Sequence, residues 1–393
     1  GADIASLRRV RPDAWRGWCR AVSRTVTLLM HTAMAAVGDQ IRAAVADRTP
    51  LRVRAGGSKD FYGNTPQGTV LDPRPISGIV SYEPSELAMA AYGGTPLEEV
   101  EAVLAAQGQM LAFEPPHFGH GATIGGCIAS GLAGPRRASA GYTHGGVRDF
   151  LLGAKLLDGR AQLLSFGGMV MKNVAGYDVA RLLAGSLGVL GVIIEASFKV
   201  VPRPAAETTL RFVLNEGAAL DQLNAWGAQP LPISASAWHA GTLHVRLSGS
   251  PSAIQAAVAR LGGGPVESVA ANCFWHQLRE QTQPFFGGDA PLWRLSLPSA
   301  APPIELEAQQ LIEWGGALRW IRSVLPAAQI RARASALGGH ATLFRGGERT
   351  QTFTPLAPVL DTIHRRLRAQ FDPHAIFDGG RLYPEAHDAS HAR

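Results

Sequence analysis

Two glycine clusters carry the first chemical signal in this 393-residue chain. The first, Arg54-Ala55-Gly56-Gly57-Ser58-Lys59, directly follows Leu51-Arg52-Val53-Arg54, whose alternation reads as a strand. The second is Gly119-His120-Gly121-Ala122-Thr123-Ile124-Gly125-Gly126-Cys127-Ile128-Ala129-Ser130-Gly131. Glycine lets backbone N–H groups come close to an anion and point at it, which is how proteins hold the pyrophosphate of a dinucleotide. Taken singly, each cluster reads more often as a plain turn. Taken together, with Phe113-Glu114-Pro115-Pro116 ahead of the second, they form a far more specific pair. Neither fits the G-x-G-x-x-G fingerprint with its acid about twenty residues on, and no Walker-type Gly-Lys-Ser is present.

Elements of ordinary type surround these clusters. Met34 to Asp47 places Val37, Ile41 and Val45 on one helical face. Thr69–Asp72 and Gly78–Tyr82 read as short strands, and Pro84-Ser85 opens a helical patch. Pro96–Gln107 is a helix with Leu97, Val100, Val103 and Leu104 inward. Residues 113–149 are rich in glycine and proline and show little periodicity, a pattern usual in functional loops. Phe150–Leu157 and Ala161–Ser165 are strands around the turn Asp158-Gly159, and Asp178–Leu183 is helical. Val189–Val201 is again strand-like, and Pro202 and Pro204 mark a boundary.

Beyond the boundary the order is strand Thr208–Val213, helix Gly217–Trp226, a hairpin of Ser234–His239 and Thr242–Leu247, then helix Pro251–Leu261. This is the ferredoxin-like order. It returns in looser form over Leu292–Leu297, Ile304–Leu311, Gly316–Ile321, Ala327–Ala336 and Ala341–Arg345, before a last helix over Pro355–Gln370. No sequence repeat of 20–50 residues is apparent.

The length predicts two domains, and 46% hydrophobic residues suffice for large cores. The net charge of +6 comes mainly from arginine, which suits phosphates and carboxylates. No basic block interleaved with aromatics points to nucleic acid. Cys19, Cys127 and Cys273 are too scattered for a metal or iron–sulfur pattern and fit a reducing compartment, or simply an absence of structural disulfides. No apolar run reaches the roughly 20 residues of a membrane span. Six arginines from Arg8 to Arg24 precede the apolar stretch Thr25–Val37. A signal peptide cleaved at Ala33-Met34-Ala35 is one reading, but the basic region is too long and His31 interrupts the apolar run. The other reading starts the natural chain at Met30 or Met34 and makes residues 1–33 a non-native or disordered extension.

The paired glycine clusters resemble the FAD-binding domain of the vanillyl-alcohol-oxidase, or PCMH, type. The likeness continues through Gly145, Val147-Arg148-Asp149 and Gly185-Ser186-Leu187-Gly188-Val189-Leu190-Gly191-Val192-Ile193. Lys172-Asn173-Val174-Ala175-Gly176-Tyr177-Asp178 is similar to the branch that oxidises 2-hydroxy acids. Phe166-Gly167-Gly168, Val170-Met171, Phe274-Trp275, Leu278-Arg279-Glu280, Trp314 to Trp320 and the tail Phe371 to Pro384 resemble the FAD-binding E subunits of bacterial glycolate oxidase (glycolate dehydrogenase). The tail departs by having Asp378-Gly379 in place of Asn-Pro.

The resemblance implies an α+β protein: a two-subdomain PCMH-type FAD-binding domain over 34–204, a ferredoxin-like α+β cap over 205–365, and a tail over 366–393 that returns to the FAD domain. It implies FAD held by Ala55, Gly56, Gly57, Ser58, Lys59, Pro115, Gly121, Ala122, Thr123, Gly125, Gly126, Ile128, Ala129, Ser130, Gly131, Lys172, Tyr177, Gly188, Gly191, Val192 and Ile193. Lys172 would offset charge and Tyr177 would pack on the ring, while the bland reading makes this stretch a helix entry capped by Asp178. Covalent attachment through a histidine is not expected, because the first loop has none. Cys127 reads as packing.

In the catalytic D subunits a His-x-Gly-Asp-Gly-Asn-x-His segment supplies acid–base groups and a divalent metal. Here the comparable place reads Gly338-Gly339-His340-Ala341-Thr342-Leu343-Phe344-Arg345, with one His and one Arg left. No metal site is expected. His340 and Arg345 are the leading catalytic candidates in the cap, although their spacing puts them on opposite sides of a strand. Arg319 and Arg294 are further candidates that read equally as parts of ion pairs. The resemblance implies a D-like flavoprotein and an F-like iron–sulfur subunit as partners, a small 2-hydroxy acid as substrate, and a cytoplasmic location or one peripheral to the inner face of the plasma membrane. The alternatives are a flavin-binding subunit without chemistry of its own, and a self-sufficient enzyme for another hydroxy acid such as D-lactate.

Overall fold

A computed structural model describes residues 12–138, 145–168 and 178–383, with side chains from residue 29 onward except at 137 and 138. The first half alternates short strands with helices: α1 Pro12–Asp47, β1 Leu51–Val53, β2 Thr69–Leu71, β3 Ile79–Glu83, β4 Ala88–Tyr92, α2 Leu97–Ala106, β5 Gln109–Met110, α3 Ile124–Ser130, α4 Val147–Phe150, β6 Leu151–Leu157, β7 Leu163–Gly167, β8 Val192–Lys199 and β9 Val201–Pro202. Strands β3-β4-β8-β6-β7 form an antiparallel sheet in that order, while β1 and β2 make a separate parallel pair. Buried Leu97, Val100 and Leu104 of α2 and Ile124, Cys127 and Ile128 of α3 pack in the larger sheet's core. Val37 and Ile41 of α1 pack with Leu51, Leu71, Val192 and Ile194 in a second core.

Helix α1 differs from expectation in length. It runs back to Pro12 rather than starting at Met34, so the presumed extension is helical from that residue. Its alanine-rich sequence has no proline after the first position, and the isolated Gly17 and Gly38 do not interrupt the helix. Strand β4 lies where a helical patch was expected. Only Pro84–Glu86 turns, as one 3₁₀ element, and Leu87 in the left-handed region redirects the chain into Ala-Met-Ala-Ala-Tyr. That segment has weak strand propensity but pairs on both edges, so tertiary burial decides its conformation.

The second half comprises β10 Ala206–Val213, α5 Glu216–Gly227, β11 Ile233–His239, β12 Thr242–Gly249, α6 Pro251–Leu261, β13 Gly264–Val266, α7 Ser268–Glu280, β14 Leu292–Ser296, β15 Gln309–Glu313, β16 Leu318–Arg322, α8 Ala327–Ala336, β17 His340–Arg345 and α9 Pro358–Phe371. Its eight strands form one antiparallel sheet in the order β13-β10-β12-β11-β15-β16-β14-β17. Strands β10 to β13 follow the ferredoxin-like order, fourth-first-third-second. Strands β14 to β17 repeat it in mirror sequence, and the two units join edge to edge through antiparallel β11 and β15. The second unit lacks its first helix. No helix occupies Ile304–Leu311, and strand β15 starts at Gln309. The duplication is therefore structural and escapes a search for short sequence repeats.

An apolar cluster and a returning chain segment are among the contacts that tie the halves together. Tyr62 and Leu132 are buried with Trp275, Trp314, Trp320 and Phe344 in one cluster. Beyond α9 the chain returns to the first strand: Leu51 N–H donates to the Ile376 carbonyl, and Asp378 N–H donates to the Leu51 carbonyl.

Candidate functional site

The loop after β1 and the segment entering α3, 66 residues apart in sequence at Ala55 and Gly121, form the two walls of one groove. A Cβ built on Gly56 would lie 1.6 Å from the Gly121 carbonyl oxygen. Gly57 and Gly121 have φ of +73° and +86°, a region that glycine enters without steric cost. Gly125 packs on Gly93, where a Cβ would meet the Gly93 carbonyl at 2.8 Å. Glycine is thus needed at these places so that bare backbone can form the groove.

Fourteen of the sequence-predicted cofactor residues line this groove: Ala55, Gly56, Gly57, Ser58, Lys59, Gly121, Thr123, Gly125, Gly126, Ala129, Ser130, Gly188, Gly191 and Ile193. Five others lie off it. Ala122 and Ile128 point into the core behind it. Val192 faces the opposite core from Ile193, as strand alternation requires. Gly131 ends α3 with φ 63°, and Pro115 is buried in the run leading to the second loop. Lys172 and Tyr177 lie outside the described residues. Sequence reasoning missed Arg54, Asp60, Gly93, Leu187 and Arg381, which also line the groove. Arg54 closes the strand that was read, so its neighbourhood was a usable signal. Arg381 arrives only through the C-terminal return.

The groove's polarity suits a diphosphate. Among the described residues, no acceptor faces the backbone N–H groups of Gly56, Gly57, Ser58 or Lys59. The Lys59 ammonium makes only long contacts, 3.4 Å to Ser58 Oγ and 3.4 Å to the His117 carbonyl. Burial lowers its pKa, against smaller upward pulls from Cys127 and Glu280. An anion in the groove would satisfy these donors and hold Lys59 charged. Arg54 pairs with Asp60 at 2.6 Å. Arg381 donates to the Asn64 carbonyl at 2.7 Å, and burial brings its pKa down to about 10. Thr123 caps α3 by accepting from Gly126 N–H at 3.2 Å. Bare backbone donors beside a buried cation fit the pyrophosphate of FAD.

Cys127 stands behind the groove, 1% exposed, and burial pushes its thiol up to about 12. It is a packing group, as its sequence context suggested.

The catalytic candidates are not brought together. Arg319 is fully buried and donates to the backbone carbonyls of Gly316, Pro302 and Ala301, which makes it a structural tether. His340 is exposed at the start of β17, paired in register with Ser296. Arg345 ends the same strand, five steps or roughly 16 Å further along. Only Arg345 reaches the neighbourhood of the groove: its guanidinium lies 4.9 Å from the Phe118 ring centroid, and Lys59 Nζ lies 5.6 Å from the same centroid. Among the described residues no group of three or more His, Cys, Asp or Glu could hold a metal ion.

A network of ions seals the seam between the halves. Glu114 accepts from Arg136 N–H at 3.0 Å and from Arg246 Nη2 at 2.9 Å, and Arg136 also pairs with Glu207. Burial alone would raise the Glu114 pKa, but Arg246 and Arg136 outweigh it and bring the group down to about 2.

Comparison with known proteins agrees with this geometry. Residues 29–167 match the FAD binding domain family. The chain is 47% identical over 347 residues to the glycolate oxidase subunit GlcE of Escherichia coli, covering 88% of this chain and 96% of that protein. It is 31% identical over 166 residues to the glycolate oxidase subunit GlcD of Bacillus subtilis, covering 42% and 34% respectively. It is 32% identical over 166 residues to a D-lactate dehydrogenase of Archaeoglobus fulgidus, covering 41% and 35%. Among solved structures, alkyldihydroxyacetonephosphate synthase superimposes with a TM-score of 0.58 at 14% identity, covering 86% of this chain and 74% of that one, a likeness of fold.

Proposed function

The chain belongs to the family of the glycolate oxidase subunit GlcE, and from that premise we propose that it is the FAD-binding subunit of a complex that oxidises glycolate to glyoxylate. FAD binds non-covalently in this reading. The first loop carries no histidine and the Cys127 thiol is buried and protonated, so neither offers a nucleophile to the flavin. The carrying observation is the convergence of the Gly56 and Gly121 backbones beside Lys59. The N–H groups of residues 56–59 and the Lys59 ammonium hold the diphosphate, while Arg54 and Arg381 set a positive field at the groove mouth. Bound FAD supplies a two-electron acceptor for the hydride that leaves the substrate carbon.

We assign residues 34–204 to the flavin unit, 205–365 to the cap and 366–393 to the returning tail. Lys172 and Tyr177 remain proposed cofactor contacts. Tethering of Arg319 and the exposed position of His340 take these two cap residues away from the groove, and this favours dependence on partners. The partners are a D-like catalytic flavoprotein and an F-like iron–sulfur subunit that passes electrons to quinone. A cytoplasmic site, peripheral to the membrane, suits free Cys127 and Cys273. No helix among the described residues is long and apolar enough to cross a membrane. The same observations favour a second reading, a flavin-holding subunit that never cycles its own flavin.

Anaerobic titration tests both. The purified chain should show a flavin spectrum. Glycolate should leave it unbleached alone and bleach it once the D- and F-like partners are added. Bleaching by glycolate or D-lactate in the isolated chain would establish a self-sufficient enzyme instead. Partner-dependent turnover with no change in this flavin would support the second reading. Folded chain that carries no FAD would end the proposal.

A further inference from the structure

Beside the flavin groove lies a separate, open recess, floored by Phe118 and Gly119 and bordered by α7 and by Arg345 of β17. Its acids are already engaged. Glu280 accepts from Phe118 N–H at 2.8 Å, His117 N–H at 3.1 Å and Arg279 Nε at 2.8 Å. Glu98 stands at the rim, 3.8 Å from His120 Nδ1. Arg345 is the exception among the cations. Its guanidinium is stacked over Phe61, Phe344 and Phe118, at 4.3, 5.4 and 4.9 Å from the ring centroids. Among the described residues it meets no carboxylate and no hydrogen-bond acceptor, and the charged neighbour it feels is another cation, Arg322.

Rings hold such a guanidinium in place and cover its faces, and they leave its in-plane N–H fork open toward the recess with no protein acceptor among the described residues. A fork already fixed by three rings loses little freedom when an anion docks on it, so the site is preorganised for a ligand. The matching group for a rigid planar fork is a carboxylate, bound through two parallel hydrogen bonds. The Phe118 ring has Lys59 of the cradle on it as well as Arg345, so the recess adjoins the diphosphate site through one shared side chain.

We propose that Arg345 is the anchoring residue of a carboxylate-binding site in this recess, distinct from the pyrophosphate cradle. Within the flavin-subunit reading, on which it rests, the occupant is the carboxylate of a small 2-hydroxy acid. A carboxylate side chain from a partner subunit has the same chemistry, and the test separates the two sources.

The flavin-loaded chain is titrated calorimetrically with oxalate, a carboxylate that cannot be oxidised, and with glycolate. R345M removes the fork while keeping an apolar stem against the rings, and R345K keeps a charge without the fork. Oxalate and glycolate affinity should fall at least tenfold in R345M and less in R345K, with FAD content unchanged. If the isolated chain binds neither acid but R345M weakens assembly with the D-like partner at least tenfold, the carboxylate is the partner's. If folded, FAD-replete R345M matches the parent in both experiments, the proposal is overturned. FAD content, read from absorbance in the same samples, reports separately on the flavin reading: a chain that binds oxalate through Arg345 without FAD would sink that reading alone.

Discussion

The backbone of Gly56 rests against that of Gly121 so closely that a methyl group on the former would overlap the carbonyl oxygen of the latter, at 1.6 Å. Neither loop can yield without opening the groove. Gly56→Ala should therefore separate the loops, destabilise the chain by about 1–3 kcal/mol through overpacking, and abolish FAD retention. The ratio of flavin to protein absorbance after gel filtration, with a thermal melt, checks this. A G56A protein with full flavin content would show that the loops do not clasp the cofactor.

Lys59 is the cradle's buried cation. Lys59→Met should weaken FAD binding by roughly ten- to a hundredfold, the worth of about 1.5–3 kcal/mol for a hydrogen bond to a charged group. Its pKa is lowered by burial, so the free chain gains stability as pH rises between that lowered value and 10.5, where the unfolded chain holds more protons. FAD affinity should run the other way and fall with rising pH, because the diphosphate needs the ammonium. Apoprotein reconstitution across pH 7–10 measures it, and an identical pH profile in K59M would remove Lys59 from the account.

Glu114 ties the glycine-rich run to the cap strands. Its pKa of about 2 lies below the ordinary 4.5, so its contribution is full above about pH 4.5 and is lost as pH falls toward 2. Glu114→Gln should cost about 3–5 kcal/mol, as expected when one partner leaves a buried ion cluster. Urea melts at pH 7 and pH 3 should differ less in E114Q than in the parent. Equal pH sensitivity in the two proteins would place the acid-labile contact elsewhere.

Cys127 should resist chemistry. At pH 8 an alkylating reagent should label exposed Cys273 in the folded chain and spare Cys127, whose thiol stays protonated up to about 12. Acid precipitation should release all the flavin into the supernatant. Flavin that remains with the tryptic peptide spanning Cys127 would overturn the non-covalent reading.

Different physics made different parts legible in advance. The cradle could be read because close backbone approach demands glycine at Gly56, Gly57 and Gly121, and composition records that demand directly. Helix α2 and the hairpin of β11 and β12 announced themselves by period. Strand β4 did not, since Ala88, Ala90 and Ala91 are strand only by virtue of neighbours on both sides. Helix α7 went unread although Ala271, Trp275 and Leu278 recur on one face at helical spacing, because only these three of its thirteen residues are buried. Arg345 was picked for its place in a motif, and its isolation from any counter-ion shows only when Phe61, Phe118 and Phe344 are assembled around it. The candidacy of Arg319 failed because sequence cannot show that the carbonyls of Gly316, Ala301 and Pro302 already occupy its donors.

The clasp of Leu51 by Ile376 and Asp378 bears on the order of events during synthesis. Arg381, which lines the groove, is more than 300 residues downstream of Arg54 and is placed by that clasp. While a ribosome still holds the segment around Arg381, both glycine loops have emerged but the groove lacks that cation. Tight loading of the nucleotide must therefore wait until Arg381 has emerged and the clasp on Leu51 has closed.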